Sequence, residues 1–364
     1  MTIRIFFTAL IGLFLVTPTF SQEPESTVRD TVLVQDLDEV IITATRTLRQ
    51  LSSLPLPAQL IAKKELRETS RTRLNTNLNE PTGLITVQNF IGGEGIQMQG
   101  LDSEYTLILI DGVPLIVRTA GTLDLSRLSV GNIKQIEIVK GASSSLYGSE
   151  ALGGVINIIT EKPVKSNVSG NLNYRYGSFN SHDTNLNISL KNKLSSFNLF
   201  VNRNSSDGYN LANAVDVNTI DPYANYTVNL KTLFNISEKS SLLVSGRYFN
   251  QDQDYVPTES VGGKIEVDEW NTHLKYEYEF NTKWNSYFEF YATQYKANDF
   301  LNNLDDNSLF SESFYNEKLL RPEFRVTYTP NEKSTIISGL GMDHETLTRS
   351  DFSTEPIFNS PYIY

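Results

Sequence analysis

The sequence predicts a small α/β domain followed by an antiparallel transmembrane β-barrel. Three observations support this: short apolar segments separated by glycine before Pro163, period-2 alternation after Val168, and connections that alternate in length. The alternating segments have one apolar, aromatic face and run about 9–11 residues, the length at which a tilted strand crosses a bilayer. A soluble sandwich would show the same alternation, but its strands usually span about 5–6 residues.

The composition of the 364 residues excludes several classes of protein. The net charge of −11 argues against nucleic acid as a partner, because phosphate binding needs a basic face. The absence of cysteine excludes disulfides, thiolate metal sites and cysteine nucleophiles. Only one apolar run exists, near the N-terminus, whereas a polytopic helical membrane protein needs repeated runs of about 20 apolar residues.

Residues 1–21 are predicted to form a signal peptide. Arg4 precedes the apolar stretch 5–16, and Thr19 and Ser21 place small residues at the spacing that a signal peptidase reads. The run is too short to cross a bilayer of roughly 30 Å as a helix, and a short core helix is the alternative. We therefore expect export and a mature chain that begins at Gln22.

Residues 22–53 are predicted to be a flexible polar segment with one β-prone interruption. The interruption consists of Glu39, Val40, Ile41, Ile42, Thr43 and Ala44. Without a neighbouring strand, such a hexamer is suited to pairing with the sheet edge of another protein through backbone hydrogen bonds. An ordinary first strand of the following domain is the alternative, and the residues alone leave both open.

Residues 54–163 are predicted to form the α/β domain. A helix is expected over residues 63–79, with Leu66, Leu74 and Leu78 on or near one face. Four short strands are expected to follow, at residues 84–88, 105–110, 133–139 and 155–160. The dipeptides Asp111-Gly112 and Gly153-Gly154 are turn signals beside these strands.

Residues 164–364 are predicted to form the barrel strands. Short turns at 192–195, 237–239, 281–283 and 330–333 alternate with longer loops at 177–183, 204–225, 251–266 and 297–315. In an up-and-down barrel, this pattern places the turns on one rim and the loops on the other. Aromatic residues near the strand ends are typical of the belts at membrane interfaces: Tyr174, Tyr176, Tyr248, Phe249, Trp284 and Tyr328.

The number of strands predicts an incomplete barrel. About nine can be placed between residues 168 and 343, whereas a lumen that holds a plug is associated with ~22 strands. Residues 345–364, with Pro356 and Pro361, are interpreted as a long outer loop. Because an open sheet edge costs several kcal/mol per unpaired group in hydrocarbon, we expect the N-terminal part of a longer protein. Alone, it should not insert as a closed, heat-resistant barrel.

Sequence motifs of known catalytic sites are missing. The chain has no P-loop, no complete dinucleotide fingerprint and no nucleophile elbow. His182, His273 and His344 lie far apart and are expected to be solvated or to face the lumen. Oxygen ligands for calcium could come from acidic loop residues, although a solvated loop is the simpler interpretation: Asp252, Asp254, Asp299, Asp305 and Asp306. We therefore predict no enzyme activity, no catalytic residues, no resident metal and no cofactor.

The order of these segments resembles that of TonB-dependent outer-membrane receptors. Residues 39–44 look like the TonB box, and residues 105–114 (YTLILIDGVP) resemble a strand and turn of the plug domain. Residues 133–160 contain IEIVKG, LYGSEA and GGVINIIT, which resemble the end of that domain. The resemblance implies an outer-membrane protein of a Gram-negative bacterium, with a plug inside a barrel of ~22 strands.

The resemblance implies TonB-dependent import of a scarce extracellular ligand, such as a ferric siderophore, haem or cobalamin. Residues 39–44 would bind the periplasmic protein TonB, and the barrel would contact outer-membrane lipid. Phe90 and Arg118 are candidate ligand contacts at the plug apices. The siderophore or cobalamin branch fits best, because no extra domain precedes the box. A glycan importer, a passive porin or adhesin, and a barrel enzyme are the alternatives.

Three positions depart from the family pattern. Gln99 and Gln135 stand where arginine is common, and Ala142 stands where proline is usual. In the family, such arginines would pair with barrel carboxylates. The plug-to-barrel contact is therefore expected to use other residues, with Arg118 and Lys140 as candidates.

Overall fold

A computed structural model describes most of the chain after residue 39. The described residues are 40–41, 43, 49–50, 57–68, 73–74, 78, 84–88, 94–116, 125–141, 147–148, 151–162, 167–211, 218–258, 260–331, 334–351 and 353–364. The predicted signal peptide lies outside these ranges, as do Glu39, Ile42, Ala44, Phe90 and Arg118. Within them, no helix has both the length and the apolar character needed to span a membrane.

The first part of the fold is a five-stranded sheet, called the plug sheet below. Its strands, in spatial order, are β3 (Ala58–Ala62), β8 (Ile133–Lys140), β9 (Gly154–Thr160), β6 (Thr106–Ile110) and β7 (Val113–Pro114). Only the β6–β9 pair is parallel. Outside this sheet lie β1 (Val40–Ile41) paired with β2 (Arg49–Gln50), β4 (Ile85–Gln88) paired with β5 (Glu94–Gln97), helix α1 (Lys63–Glu68), and 3₁₀ turns at Ser103–Tyr105 and Leu125–Arg127.

The four predicted strands are confirmed to within one residue, three of them in the plug sheet (β6, β8 and β9) and the fourth as β4 beside it. Helix α1 covers the start of the predicted helix, and Leu74 and Leu78 are fully buried. The predicted turn between β6 and β7 is also confirmed, with φ of +52° at Asp111 and +91° at Gly112. Two successive positive φ values define a type I′ hairpin turn, and glycine is the residue that adopts the second at little cost.

The second part is a ten-stranded antiparallel sheet, called the barrel sheet below. Its strands are β10 (Asn167–Gly177), β11 (Ser181–Lys191), β12 (Ser195–Ser206), β13 (Tyr223–Ser237), β14 (Ser240–Thr258), β15 (Val261–Asn281), β16 (Trp284–Asn303), β17 (Leu309–Asn331), β18 (Ser334–Arg349) and β19 (Ile357–Ile363). Each strand pairs with the next along the chain, so β10 and β19 form the two edges. The four predicted short turns are confirmed.

Three of the four predicted long loops are wrong in extent. The strands continue through 177–183, 251–266 and 297–315, leaving only residues 178–180, 259–260 and 304–308 as connections. Only the connection at 207–222 remains long. In these segments polar residues such as Asp252 and Glu266 face each other, and the polar–apolar alternation becomes irregular although backbone pairing continues. Asp252, Asp254 and Asp299 are therefore strand residues.

The predicted outer loop at residues 345–364 is also wrong, because residues 357–363 form β19. Gly339 and Tyr364 exchange two backbone hydrogen bonds. In an antiparallel ladder, hydrogen-bonded residue pairs of this kind alternate with pairs that are not hydrogen-bonded. Pro361 faces Met342 at one of these non-bonded positions on an edge strand. Its missing N–H therefore costs no ladder bond. The nine strands predicted between residues 168 and 343 are confirmed as β10–β18, and β19 is the tenth strand of the described sheet.

The outward face of the barrel sheet is apolar and solvent-accessible. Its central side chains, each at least one-third exposed, are Val228, Leu230, Leu274, Leu320, Leu340 and Met342. Tyr248 and Trp270 border this band on one side, and the stacked rings of Trp284 and Tyr328 lie towards the other. The assignment of Phe249 to the aromatic belt is wrong, since alternation turns it to the opposite, buried face.

Candidate functional site

The β-prone hexamer lies outside the plug sheet. Val40 and Ile41 pair antiparallel with Gln50 and Arg49 in a separate two-stranded sheet. The hexamer therefore has a pairing partner within its own chain, which corrects the expectation that no neighbouring strand exists. It is also not the first strand of the plug sheet, since that sheet begins with β3.

Thr43, within the hexamer, is docked on the plug sheet by four hydrogen bonds. Its backbone N–H and its hydroxyl both donate to Glu137 Oε2, at 2.9 and 2.5 Å. Asn157 Nδ2 donates to the Thr43 hydroxyl at 3.0 Å, and the Tyr147 hydroxyl donates to the Thr43 carbonyl at 2.9 Å. Every polar atom of this one threonine therefore has a partner on the plug domain.

The strand register explains why these partners converge. Glu137 on β8 and Asn157 on β9 are direct cross-strand neighbours, so their side chains emerge side by side on one face of the plug sheet. Glu137 is 0% exposed, and a buried carboxylate is costly unless donors surround it. Two of its donors belong to Thr43 and another is Gln135 Nε2 at 2.7 Å. Undocking Thr43 would thus take hydrogen bonds from a buried charge, each worth about 1.5–3 kcal/mol.

We expect Thr43→Val to loosen this docking about tenfold. Valine keeps the shape and the two backbone hydrogen bonds of Thr43 but loses both bonds of the hydroxyl. A loss of about 1.4 kcal/mol corresponds to a tenfold change in the docked-to-undocked equilibrium. The measurement is the rate of maleimide labelling of Val40→Cys, a unique cysteine because the chain has none.

The matched control for this prediction is Thr258→Val. Thr258 is exposed at the end of β14, far along the barrel sheet from the hexamer, and should leave the labelling rate unchanged. Equal labelling of the Thr43→Val and unmodified proteins would contradict the docking of Thr43 on Glu137 and Asn157.

The plug domain contacts the inner face of the barrel sheet through a buried ion-pair cluster. Arg127, at the end of the second 3₁₀ turn, donates from Nη1 to Glu269 Oε2 on β15 at 3.0 Å. Arg247 on β14 lies 2.7 Å from the other oxygen of Glu269. The Arg127 guanidinium also lies over the ring of Tyr295, 4.9 Å from its centroid. With Glu269 only 1% exposed, this cluster joins plug and barrel sheet in the interior.

A second polar contact joins the β6–β7 turn to the barrel sheet. Lys231 Nζ on β13 lies 2.5 Å from Asp111 Oδ2 and also contacts the Thr160 hydroxyl. Thr160 donates its backbone N–H and its hydroxyl to Asp111 at 3.0 and 2.7 Å. Burial raises the pKa of the Asp111 carboxyl, but Lys231 and Thr160 together lower it by more. The pKa of Asp111 therefore lies below its ordinary value. The Asp111 carboxylate is therefore held ionised against the barrel wall.

An apolar contact completes this interface. Ile116, two residues beyond β7, packs in a buried cluster with barrel-sheet side chains, namely Phe249, Val267, Tyr291, Tyr295 and Leu319. The Tyr291 hydroxyl also donates to the carbonyl of Pro114 at 2.8 Å. The β6–β7 hairpin is thus fixed to the barrel sheet at its turn and beyond it, through Asp111, Pro114 and Ile116.

The predicted site residues are only partly placed by the structure. Val40, Ile41 and Thr43 are described, and Thr43 alone has a described side-chain environment. The contacts of Thr43, Arg127 and Asp111 involve residues that the sequence did not single out: Glu137, Tyr147, Asn157, Lys231 and Glu269. The available signal was a polar side chain inside an apolar strand, as in VINII around Asn157 and IEI around Glu137.

The three histidines bond to separate partners. His273 faces the interior and contacts Glu289, whereas His182 and His344 bond to Tyr174 and Asn359. Among the residues that the structure describes, no three or more His, Asp or Glu side chains are placed to hold a metal ion.

Comparison with known proteins matches the first part of the fold to one family model. Residues 50–155 match the model of the TonB-dependent Receptor Plug Domain. The chain is similar to the vitamin B12 transporter BtuB of Vibrio cholerae serotype O1, with 26% identity over 302 residues, covering 76% of this chain and 48% of that protein. The chain therefore spans about half the length of the curated relatives that it matches.

Solved structures share the same fold. The open form of the ferric-catecholate import receptor Fiu from E. coli K12 has a TM-score of 0.65 at 15% identity, covering 83% of this chain and 51% of that one. The siderophore receptor PiuA from Acinetobacter baumannii has a TM-score of 0.65 at 13% identity, covering 86% and 54%. At these identities the likeness concerns the plug and strand architecture.

Proposed function

We propose, from the assignment of this chain to the TonB-dependent receptors, that it imports a small extracellular ligand across the outer membrane. This family consists of transport receptors rather than enzymes. In the proposed mechanism the plug domain closes the barrel, the hexamer at residues 39–44 is the TonB box, and pulling by TonB opens a path for the ligand.

The observation that supports gated transport most directly is the docking of Thr43. A box that must be reached by a periplasmic partner is here attached to the same plug sheet that contacts the barrel wall. Force applied to the box would therefore act first on Glu137 and Asn157 and then on the plug sheet. A passive porin or an adhesin has no use for such a segment. In this chain the plug side chains Arg127 and Ile116 also lie against the inner face of the barrel sheet.

The proposed partner interaction is strand addition to the box. TonB would supply a strand whose backbone bonds to residues 39–44, replacing the pairing of Val40 and Ile41 with β2. The apolar outward face with aromatic residues at its borders fits contact with outer-membrane lipid. Export by a cleaved signal peptide over residues 1–21 remains part of the proposal.

Cobalamin is the first ligand to test, because the similar curated proteins are named vitamin B12 transporters. A ferric siderophore is the second, because receptors for these share the fold. The experiment measures uptake of radiolabelled cyanocobalamin and of ferric siderophores by cells that express the receptor from its complete gene, with and without TonB. Uptake that needs both proteins supports the proposal.

Uptake that continues without TonB would favour a passive pore and contradict the proposal. TonB-dependent uptake of an oligosaccharide, with neither cobalamin nor siderophore transported, would instead establish the glycan importer as the function. Cells that carry the empty vector provide the background for each substrate.

We expect the barrel sheet to have one orientation in the membrane. An epitope tag inserted after Leu211, in the connection 207–222, should be reached by antibody on intact cells, because long connections face outward in such barrels. A tag after Glu238, in the turn between β13 and β14, should be reached only after permeabilisation. Immunofluorescence of both insertions gives the measurement, and the reverse pattern would invert the proposed topology.

A further inference from the structure

We propose that Asn157 is a positioning residue that couples the docked TonB box to barrel strand β13 through the Asp111–Gly112 turn. The inference rests on the proposed role of the box and identifies the side chain that connects its docking to the barrel wall. The route runs from Thr43 through Asn157 to Gly112 and Asp111, and ends at Lys231.

The Asn157 amide forms the central link of this route. Its Nδ2 donates to the Thr43 hydroxyl at 3.0 Å, while its Oδ1 accepts the backbone N–H of Gly112 at 3.1 Å. Because the Thr43 hydroxyl donates to Glu137, it accepts from Asn157, and this orients the amide. If the amide were flipped, its Nδ2 would face the backbone N–H of Gly112, and two donors would meet without an acceptor. One planar group therefore connects the box and the turn in a single orientation.

The cross-strand polar neighbour of Asn157 is Glu137 on β8, whose carboxylate already accepts from Thr43 and Gln135, and the other surroundings of the amide are apolar. Asn157 is 2% exposed and lies in β9, every residue of which is buried. Its neighbours along the strand are Ile156 and Ile158, and Leu109 lies opposite on β6. A buried amide bonded at both ends stays in place as long as both ends do. Displacement of the turn would therefore change the bond to Thr43.

The turn in its own right is fixed to the barrel. Asp111 contacts Lys231 on β13 and takes two hydrogen bonds from Thr160. Gly112 follows with a positive φ, so the turn has one defined shape. Removing the Lys231 cation would leave the Asp111 carboxylate buried without its counter-charge, and the turn would have to rearrange. Such a rearrangement moves the Gly112 N–H, which donates its hydrogen bond to Asn157 Oδ1.

A double-mutant cycle tests the coupling without any ligand or TonB. The readout is maleimide labelling of Val40→Cys in the receptor expressed from its complete gene, compared with and without Lys231→Met. We expect Lys231→Met to raise the labelling rate about fivefold when Asn157 is present, the size typical of coupling through a side-chain network. In the Asn157→Ala background, where the link is already broken, Lys231→Met should change the rate by less than about 1.5-fold.

Tyr147→Phe is the matched control. It removes the hydrogen bond to the Thr43 carbonyl and so weakens docking outside the proposed route. Lys231→Met should therefore still raise labelling about fivefold in this background. If Asn157→Ala does not fold, Thr43→Val interrupts the same route at its other end and carries the same expectation.

Two outcomes would overturn the inference. One is an equal effect of Lys231→Met with and without Asn157, and the other is no effect of Lys231→Met in the unmodified receptor. Failure of the box to bind TonB would contradict the proposed function but would leave this cycle unaffected, since labelling is measured in the absence of TonB.

Discussion

Proline in place of Ile41 is expected to abolish uptake while ligand binding at the cell surface stays intact. Ile41 is part of β1, whose backbone pairs with Arg49 and is proposed to pair with TonB instead. Proline removes the backbone N–H and with it the ladder hydrogen bond that this group donates, whereas a change of side chain leaves the backbone donor in place. The measurements are TonB-dependent uptake and equilibrium binding of the same radiolabelled substrate on intact cells.

The control for Ile41→Pro is Ile41→Val, which keeps the backbone donor and should retain most of the uptake. Labelling of Val40→Cys tests whether the segment is released from its own chain, because proline also disrupts the β1–β2 pair. The proline variant should be labelled faster and yet transport nothing. Normal transport by Ile41→Pro would refute the TonB-box assignment. Ile42→Pro, which lies outside the described residues, is expected to behave in the same way.

The fold was predictable wherever the burial of one strand face gave the sequence a regular alternation of polar and apolar residues. The four plug strands and the short turns of the barrel sheet are confirmed, since alternating burial and turn residues act locally. The errors occur where one of these signals fails. Beyond Asp252 and Asn298 the strands continue although polar and apolar residues no longer alternate regularly, and β19 contains Pro361, which an edge strand tolerates at a non-bonded position.

The site was less predictable, because its contacts join residues far apart in the chain. Thr43 and Glu137 are 94 residues apart, and Arg127 and Glu269 are 142 apart. Such pairs depend on how the plug sheet sits against the barrel sheet, which no local pattern contains. The resemblance pointed to residues 39–44, and Arg118 and Lys140 were offered for the plug-to-barrel contact. Arg118 lies outside the described residues, and the ion pairs described between plug and barrel sheet are Arg127–Glu269 and Asp111–Lys231.

Replacing Glu269 with alanine is expected to cause a large loss of stability where the plug domain meets the barrel sheet. The substitution leaves two buried guanidiniums, those of Arg127 and Arg247, facing each other without their shared carboxylate. Removing one partner of a buried ion pair costs about 3–5 kcal/mol. Since the lost contact joins plug and barrel sheet, the plug should loosen. Limited proteolysis of the plug and passive influx of a large hydrophilic antibiotic would both increase.

Glu277→Ala is the matched control, because it also removes a glutamate from β15 but at an exposed position. Its ion pair with Lys275 spans 2.6 Å, and the Glu277 side chain is 52% exposed. An exposed pair of this kind contributes about 0–1 kcal/mol, so proteolysis and influx should stay near those of the unmodified receptor. Equal behaviour of the two alanine variants would show that the Arg127–Glu269 contact does not hold the plug. A variant that removes both charges, Arg127→Met with Glu269→Gln, should recover part of the loss, because fewer buried charges are left unpaired.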